Sequence, residues 1–156
     1  MHLIEFYSDK IEIIKDDMDN AVYTYPLSRY EEAARTELFC WFYIVEVNDT
    51  ACLLLEIGFH RDNWLFMEKI KLKSGDNEIN LTVSSRQRDT NVFPNASIAE
   101  VTRFIIDDPF PYNDMVDEAE TQIRFYGRQS NMDFTLSVKQ KSDMETIIGY
   151  YLNVIL

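Results

Sequence analysis

Hydrophobic and polar side chains alternate along much of this chain, and the alternation is clearest from Asn63 to Val83. Trp64, Phe66, Ile70 and Leu72 recur on one side, Lys69, Lys71 and Lys73 fall on the other, and Ile79, Leu81 and Val83 resume the apolar side after Ser74-Gly-Asp-Asn77. Period two on both sides of a polar, glycine-containing turn predicts a β-hairpin with one buried face, to which Trp64 and Phe66 belong as core. A second hairpin is predicted from Ile123-Arg-Phe-Tyr-Gly127 and Met132 to Val138, with Met132, Phe134, Leu136 and Val138 inward and Asp133, Thr135 and Ser137 outward. From Leu38 to Phe59 the chain is almost continuously apolar around Asn48-Asp-Thr50, with Cys40, Phe42 and Ile44 on one face and Phe39, Trp41, Tyr43, Val45 and Val47 on the other. Apolar side chains on both faces predict two strands of a sheet covered on both sides.

The remaining segments read less regularly. Residues 3 to 14 carry β-type alternation and predict one or two short strands before an acidic loop at Lys15 to Asn20. Ser28 and Glu31 have capping-box spacing ahead of a short helix over Arg29 to Glu37. Ser84 to Pro94 reads as a loop, and Ile98 to Ile106, rich in Ile, Val, Thr and Phe, as a strand. Pro109 and Pro111 interrupt both strand and helix, with Asn113 capping a short acidic helix through Glu120. Ser142-Asp-Met-Glu145 starts a helix whose Met144, Ile147, Ile148, Tyr151, Leu152 and Ile155 repeat at helical spacing. The fold class predicted is mainly β within α+β. Residues 1–156 are expected to form a single-domain antiparallel β-sandwich or curved sheet of seven or eight strands, with a C-terminal amphipathic helix lying on it.

Charge narrows the classes of partner. Twenty-seven acidic against 15 basic residues give a formal charge of −12, opposite to what a phosphate backbone recruits, so no nucleic acid partner is expected. No apolar run approaches the roughly 20 residues needed to span a bilayer, and the N-terminus lacks a basic start and apolar core. A cytoplasmic protein without membrane contact is expected. Cys40 and Cys52 sit in apolar segments, where a thiol serves as a small core side chain. Two histidines, His2 and His60, cannot supply a multi-histidine zinc site, and His60 with Asp62 has no nucleophile beside it and reads as a solvated turn residue. Four glycines build no phosphate loop. No metal, cofactor or catalytic residue is therefore expected. The Lys69, Lys71 and Lys73 stripe reads as protection of an exposed strand edge against aggregation.

Arg61-Asp-Asn-Trp-Leu-Phe-Met-Glu-Lys-Ile-Lys-Leu-Lys with its following hairpin, and Ile123-Arg-Phe-Tyr-Gly127 followed by Asp133-Phe-Thr-Leu136, resemble a pattern of small bacterial and phage β-rich domains. In these a Trp-Leu-Phe strand precedes a polar turn, and an Arg-Phe-x-Gly strand precedes the last helix. The resemblance covers roughly Phe59 to Ile155 and implies a fold but no activity. The functional expectation is a non-enzymatic interaction domain, an inhibitor of the immunity or anti-defence type that binds and blocks a protein with a basic surface. Contact is expected at Asp107, Asp108, Tyr112, Asp114, Asp117 and Glu118, where carboxylates meet cations and Tyr112 anchors. The alternatives are an assembly module, monomer or homodimer, self-associating through a strand edge, or an enzyme or ligand carrier with an unfamiliar site.

Overall fold

The two-faced apolar segment forms the centre of the molecule. In the computed structural model, which describes residues 3–92, 98–118 and 120–156, Leu38–Val47 (β3) pairs antiparallel with Thr50–Arg61 (β4) around Asn48 and Asp49, both with left-handed φ. Ile11–Asp16 (β1) and Ala21–Pro26 (β2) continue the sheet on one side, and Ile98–Ile105 (β8) and Asp89–Val92 (β7) on the other, giving the order β1-β2-β3-β4-β8-β7. A second antiparallel sheet of order β10-β9-β5-β6 contains Lys69–Ser74 (β5), Asn77–Thr82 (β6), Gln122–Tyr126 (β9) and Asn131–Thr135 (β10). The fold is thus mainly β with two antiparallel sheets and a C-terminal helix, as the patterning predicts. The described residues hold ten strands rather than seven or eight, because the loop read at Ser84 to Pro94 contributes β7 and Ala21–Pro26, to which the patterning assigns no element, forms β2.

Both faces of β3 and β4 are covered in the predicted sense. Cys40, Phe42, Ile44, Leu53, Leu55, Ile57 and Phe59 face the main core, whereas Trp41 and Tyr43 join Tyr23, Tyr25, Phe39, Val45 and Leu54 on the opposite face. The sheets meet where Phe59 of β4 packs against Phe125 of β9 and Phe134 of β10, with ring centroids 5.1 and 6.1 Å apart. Val138–Tyr150 (α4), followed by a π-helical turn Tyr151–Ile155, lays Met144, Ile147 and Ile148 into the same core.

Helix starts lie elsewhere than the sequence suggests. α4 begins at Val138, because Ser137 accepts from the Gln140 N–H while the Gln140 side chain accepts from the Ser137 N–H; Val138 is therefore an exposed first-turn residue and not an inward strand residue. Leu3–Tyr7 is helical (α1), not extended. Arg29–Thr36 (α2) forms as predicted, but the Ser28 hydroxyl donates to Asp143 (3.0 Å) instead of capping it. Phe110–Val116 (α3) starts at the prolines themselves, since Pro111 occupies the first turn, where its missing N–H has no helical partner to lose.

The hairpin at Asn63 is the largest departure. Residues 62–68 are not a strand; β5 begins at Lys69, and Phe66 has a left-handed φ of 56°. Reversal at Phe66 shifts the parity of the pleat, so Leu65 and Met67 are buried while Trp64 and Phe66, expected in the core, stand in solvent. β5 is also interior, paired with β6 and β9, so its lysines do not guard an edge. His60 is no solvated turn residue: it lies in β4, and its Nε2–H donates to the Ala33 carbonyl at 2.9 Å beside the Phe39 ring.

Candidate functional site

The carboxylates expected to make contact lie on the segment after β8. Asp107, Asp108, Asp114, Asp117 and Glu118 are exposed; Asp108 accepts from the Phe110 N–H, and Asp114 lies on α3. Across from α3, Glu145 of α4 has its carboxyl pushed above the usual range by partial burial and by Asp117. Tyr112 does not belong to this surface. It is buried edge-on against Phe42 (5.4 Å), and burial pushes its phenol up to about 12. The exposed apolar groups nearby in sequence are Ile105 and Phe110. Within α3, Tyr112 turns inward with Met115 and Val116, while Phe110 stays outward.

A second surface is built around the reversal at Phe66. Glu100 sits on the inward side of β8, 0 % exposed, and its carboxylate accepts the backbone N–H groups of Leu65 (2.6 Å), Phe66 (3.0 Å) and Met67 (2.9 Å). A buried carboxylate is tolerated only when its lone pairs are filled, and three consecutive backbone donors do this. The same bonds hold Phe66 in a backbone region that non-glycine residues rarely occupy. The result is a solvent-facing pair of rings, Trp64 and Phe66, stacked at 5.4 Å and 8°. Arg88 extends the pair, its guanidinium 5.5 Å from the Phe66 ring and bonded to the Met67 carbonyl at 3.2 Å. Phe66, Lys69, Arg88 and Arg128, with Glu68 paired to Arg128, border an open cleft of about 770 Å³.

The lysine stripe continues beside this cleft. Lys71 pairs with Glu78 (3.6 Å), and Arg124 makes a two-bond pair with Asp133 (2.6 and 2.7 Å), so part of this basic face is internally neutralised. Cys40 is buried, its thiol pushed up to about 12 by desolvation, as suits a core side chain. Among the described residues no three His, Cys, Asp or Glu side chains come together in a way that could hold a metal ion, and no helix is long and apolar enough to cross a membrane.

Glu100 and the exposed ring pair are the features that sequence reasoning passes over. One signal was available: a carboxylate at an inward position of a predicted strand must find partners, and Glu100 shares parity with Ile98 and Thr102. Compared with protein families, curated proteins and solved structures, the chain matches none.

Proposed function

We propose that this chain is a non-enzymatic protein-interaction domain that binds and blocks another protein, anchoring through the Trp64–Phe66 ring pair. The observation that carries the reading is the left-handed Phe66 backbone, locked by a buried carboxylate from a distant strand. The three bonds from Glu100 compensate the backbone strain within the fold and hold the rings outward, and the apolar surface left in solvent there is buried only when a partner covers it. Trp and Arg dominate the energetic centres of protein interfaces, and Trp64, Phe66 and Arg88 supply that combination at one place. The acidic surface plays the complementary part. Burial and the neighbouring Asp117 hold the Glu145 carboxyl above its usual range although Lys141 is also close, and the charge of −12 draws a basic partner from a distance. The partner is thus a protein of basic surface with an apolar pocket for two stacked rings.

The test is pull-down from the native host with wild type and a Trp64→Ala, Phe66→Gly double variant. Glycine accepts the left-handed φ, so the variant folds. Loss of the partner by this folded variant is the expected result; retention sinks the anchor.

A second reading, self-association, is favoured by β1, an edge strand with Ile13 and Ile14 exposed. Light scattering on wild type and on Ile13→Lys distinguishes it: a dimer dispersed by the lysine supports self-association, and a monomer in both removes it.

A further inference from the structure

The cleft beside the Phe66 reversal has the size of a small-molecule site, about 770 Å³ where such sites run from about 300 to 1,000 Å³. Backbone bonds hold its walls. The Glu68 N–H donates to the Tyr126 carbonyl (2.7 Å) and the Glu68 carbonyl accepts from the Val83 N–H (2.9 Å), which fixes the segment after the reversal between β9 and the end of β6. Beyond Val83 a turn is closed twice by Gln87: its side chain accepts from the Ser84 N–H (3.1 Å), and its own N–H donates to the Ser84 carbonyl (3.1 Å). That turn returns Arg88 to the Met67 carbonyl (3.2 Å). A site shaped in advance spends little free energy on ordering when its ligand arrives.

Charge in the cleft is opposite to that of the chain. Lys69, Arg88 and Arg128 line it against one carboxylate, Glu68, which Arg128 already holds at 2.9 Å. Among the described residues neither Lys69 nor Arg88 has a carboxylate within ion-pair distance. Lys69 stands 5.3 Å from the Tyr126 ring, and Arg88 gives one N–H to Met67 and leaves the rest of its fork open. Two unmatched cations in one cleft call for an anion. The charge of −12 repels a polyanion, so a small ligand with a single anionic group fits better than a nucleic acid strand. Phe66, Val83 and the methylene stems of Lys69 and Arg88 form the apolar part of the wall. Because the cleft is open, a ligand must gain contact area there with few rotatable bonds, and an aromatic ring does so. We propose that this cleft binds a small aromatic anion, its carboxylate or phosphate held by Lys69 and Arg88 and its ring lying against Phe66 and Val83. The site shares Phe66 with the proposed interface but does not rest on that reading, since it needs no partner protein.

The test uses the purified chain and the backbone amide signals of Thr82, Val83 and Ser85 in proton–nitrogen NMR. Phenylacetate and adenosine monophosphate represent the two sources of such an anion. Benzyl alcohol and adenosine supply the ring without the charge, and acetate and inorganic phosphate the charge without the ring. The expected result is a saturable shift of these amides with at least one aromatic anion, at a Kd below about 1 mM and at least about tenfold tighter than either of its counterparts. Whichever anion saturates tells an aromatic carboxylate from a nucleotide. Arg88→Met and Lys69→Met should each weaken that ligand about tenfold, as loss of one charge-assisted bond implies. Lys69 makes no side-chain hydrogen bond among the described residues, so its variant keeps the fold even where loss of the Arg88 bond to Met67 disturbs the reversal. No saturation below about 1 mM with either anion overturns the proposal. So does an advantage under about tenfold over the ring alone or the charge alone, or a folded Lys69→Met variant with wild-type affinity.

Discussion

At the scale of single residues, the same side-chain type has opposite weight depending on where the backbone carries it. Phe125 is fully buried between the sheets, whereas Phe66 is 48 % exposed. Phe125→Ala should therefore cost about 3–5 kcal/mol in urea denaturation, and Phe66→Ala under about 1 kcal/mol; similar costs for the two would place Phe66 in the core after all. Glu100→Gln replaces an acceptor-only group by one that also donates, facing three backbone N–H groups, and should destabilise by at least about 2 kcal/mol. A change below about 0.5 kcal/mol would show that Leu65 and Met67 hold the segment by packing alone. Buried phenols give a third expectation. Burial pushes Tyr43 and Tyr112 up to about 12, above the roughly 10 of an unfolded tyrosine. The folded state then keeps protons that the unfolded state has released, so stability is complete below about pH 10 and is lost as pH rises through about 12. Alkaline titration of the phenolate absorbance should show the last phenols ionising together with unfolding; smooth titration of all tyrosines near pH 10 with the fold intact would contradict their burial.

At the scale of elements, α4 seals the core, and its hold is testable at both ends. Ser137→Ala removes the cap of Gln140 and the bond to Glu32, and should cost about 1 kcal/mol. Truncation after Lys141 strips Met144, Ile147 and Ile148 from the inner face of the sheet and should abolish cooperative unfolding or solubility; an unchanged melting curve would make the helix an appendage. The strands β9 and β10 were legible in sequence because burial of one face enforces alternation, and β3 and β4 because burial of both faces makes a nearly continuous apolar run. The α4 start was also written in the chain, as Ser137-x-x-Gln140, but Val138 at strand parity drew it into the preceding alternation. The reversal at Phe66 was not legible locally. Its cause is a carboxylate 34 residues away, and without it Asn63 to Val83 has the periodicity of a strand throughout. The candidate surface was legible in part for a similar reason: the carboxylates stand in the sequence itself, but whether Tyr112 or Phe110 faces out depends on which face of α3 packs inward with Met115 and Val116.

At the scale of the whole molecule, the two halves of the proposed interface act on different rate constants, and this separates them. Long-range attraction between a chain of charge −12 and a basic partner raises the encounter rate and is screened over about 8 Å at physiological salt, whereas buried rings act on dissociation. Changing Asp107, Asp108, Asp114 and Asp117 to Lys adds two charges at each position and leaves −4. The fold should tolerate this, because all four side chains are exposed and a lysine at 117 faces Glu145 as a counter-ion where a repelling carboxylate stood. Association by surface plasmon resonance should slow about tenfold or more with dissociation little changed, and raising salt should slow wild type toward the same value. The Trp64→Ala, Phe66→Gly variant should show the converse, an on-rate near wild type and a much faster off-rate. If the four-lysine variant keeps the wild-type on-rate and salt leaves wild type unchanged, the carboxylates only solvate the surface, and the ring pair carries recognition alone.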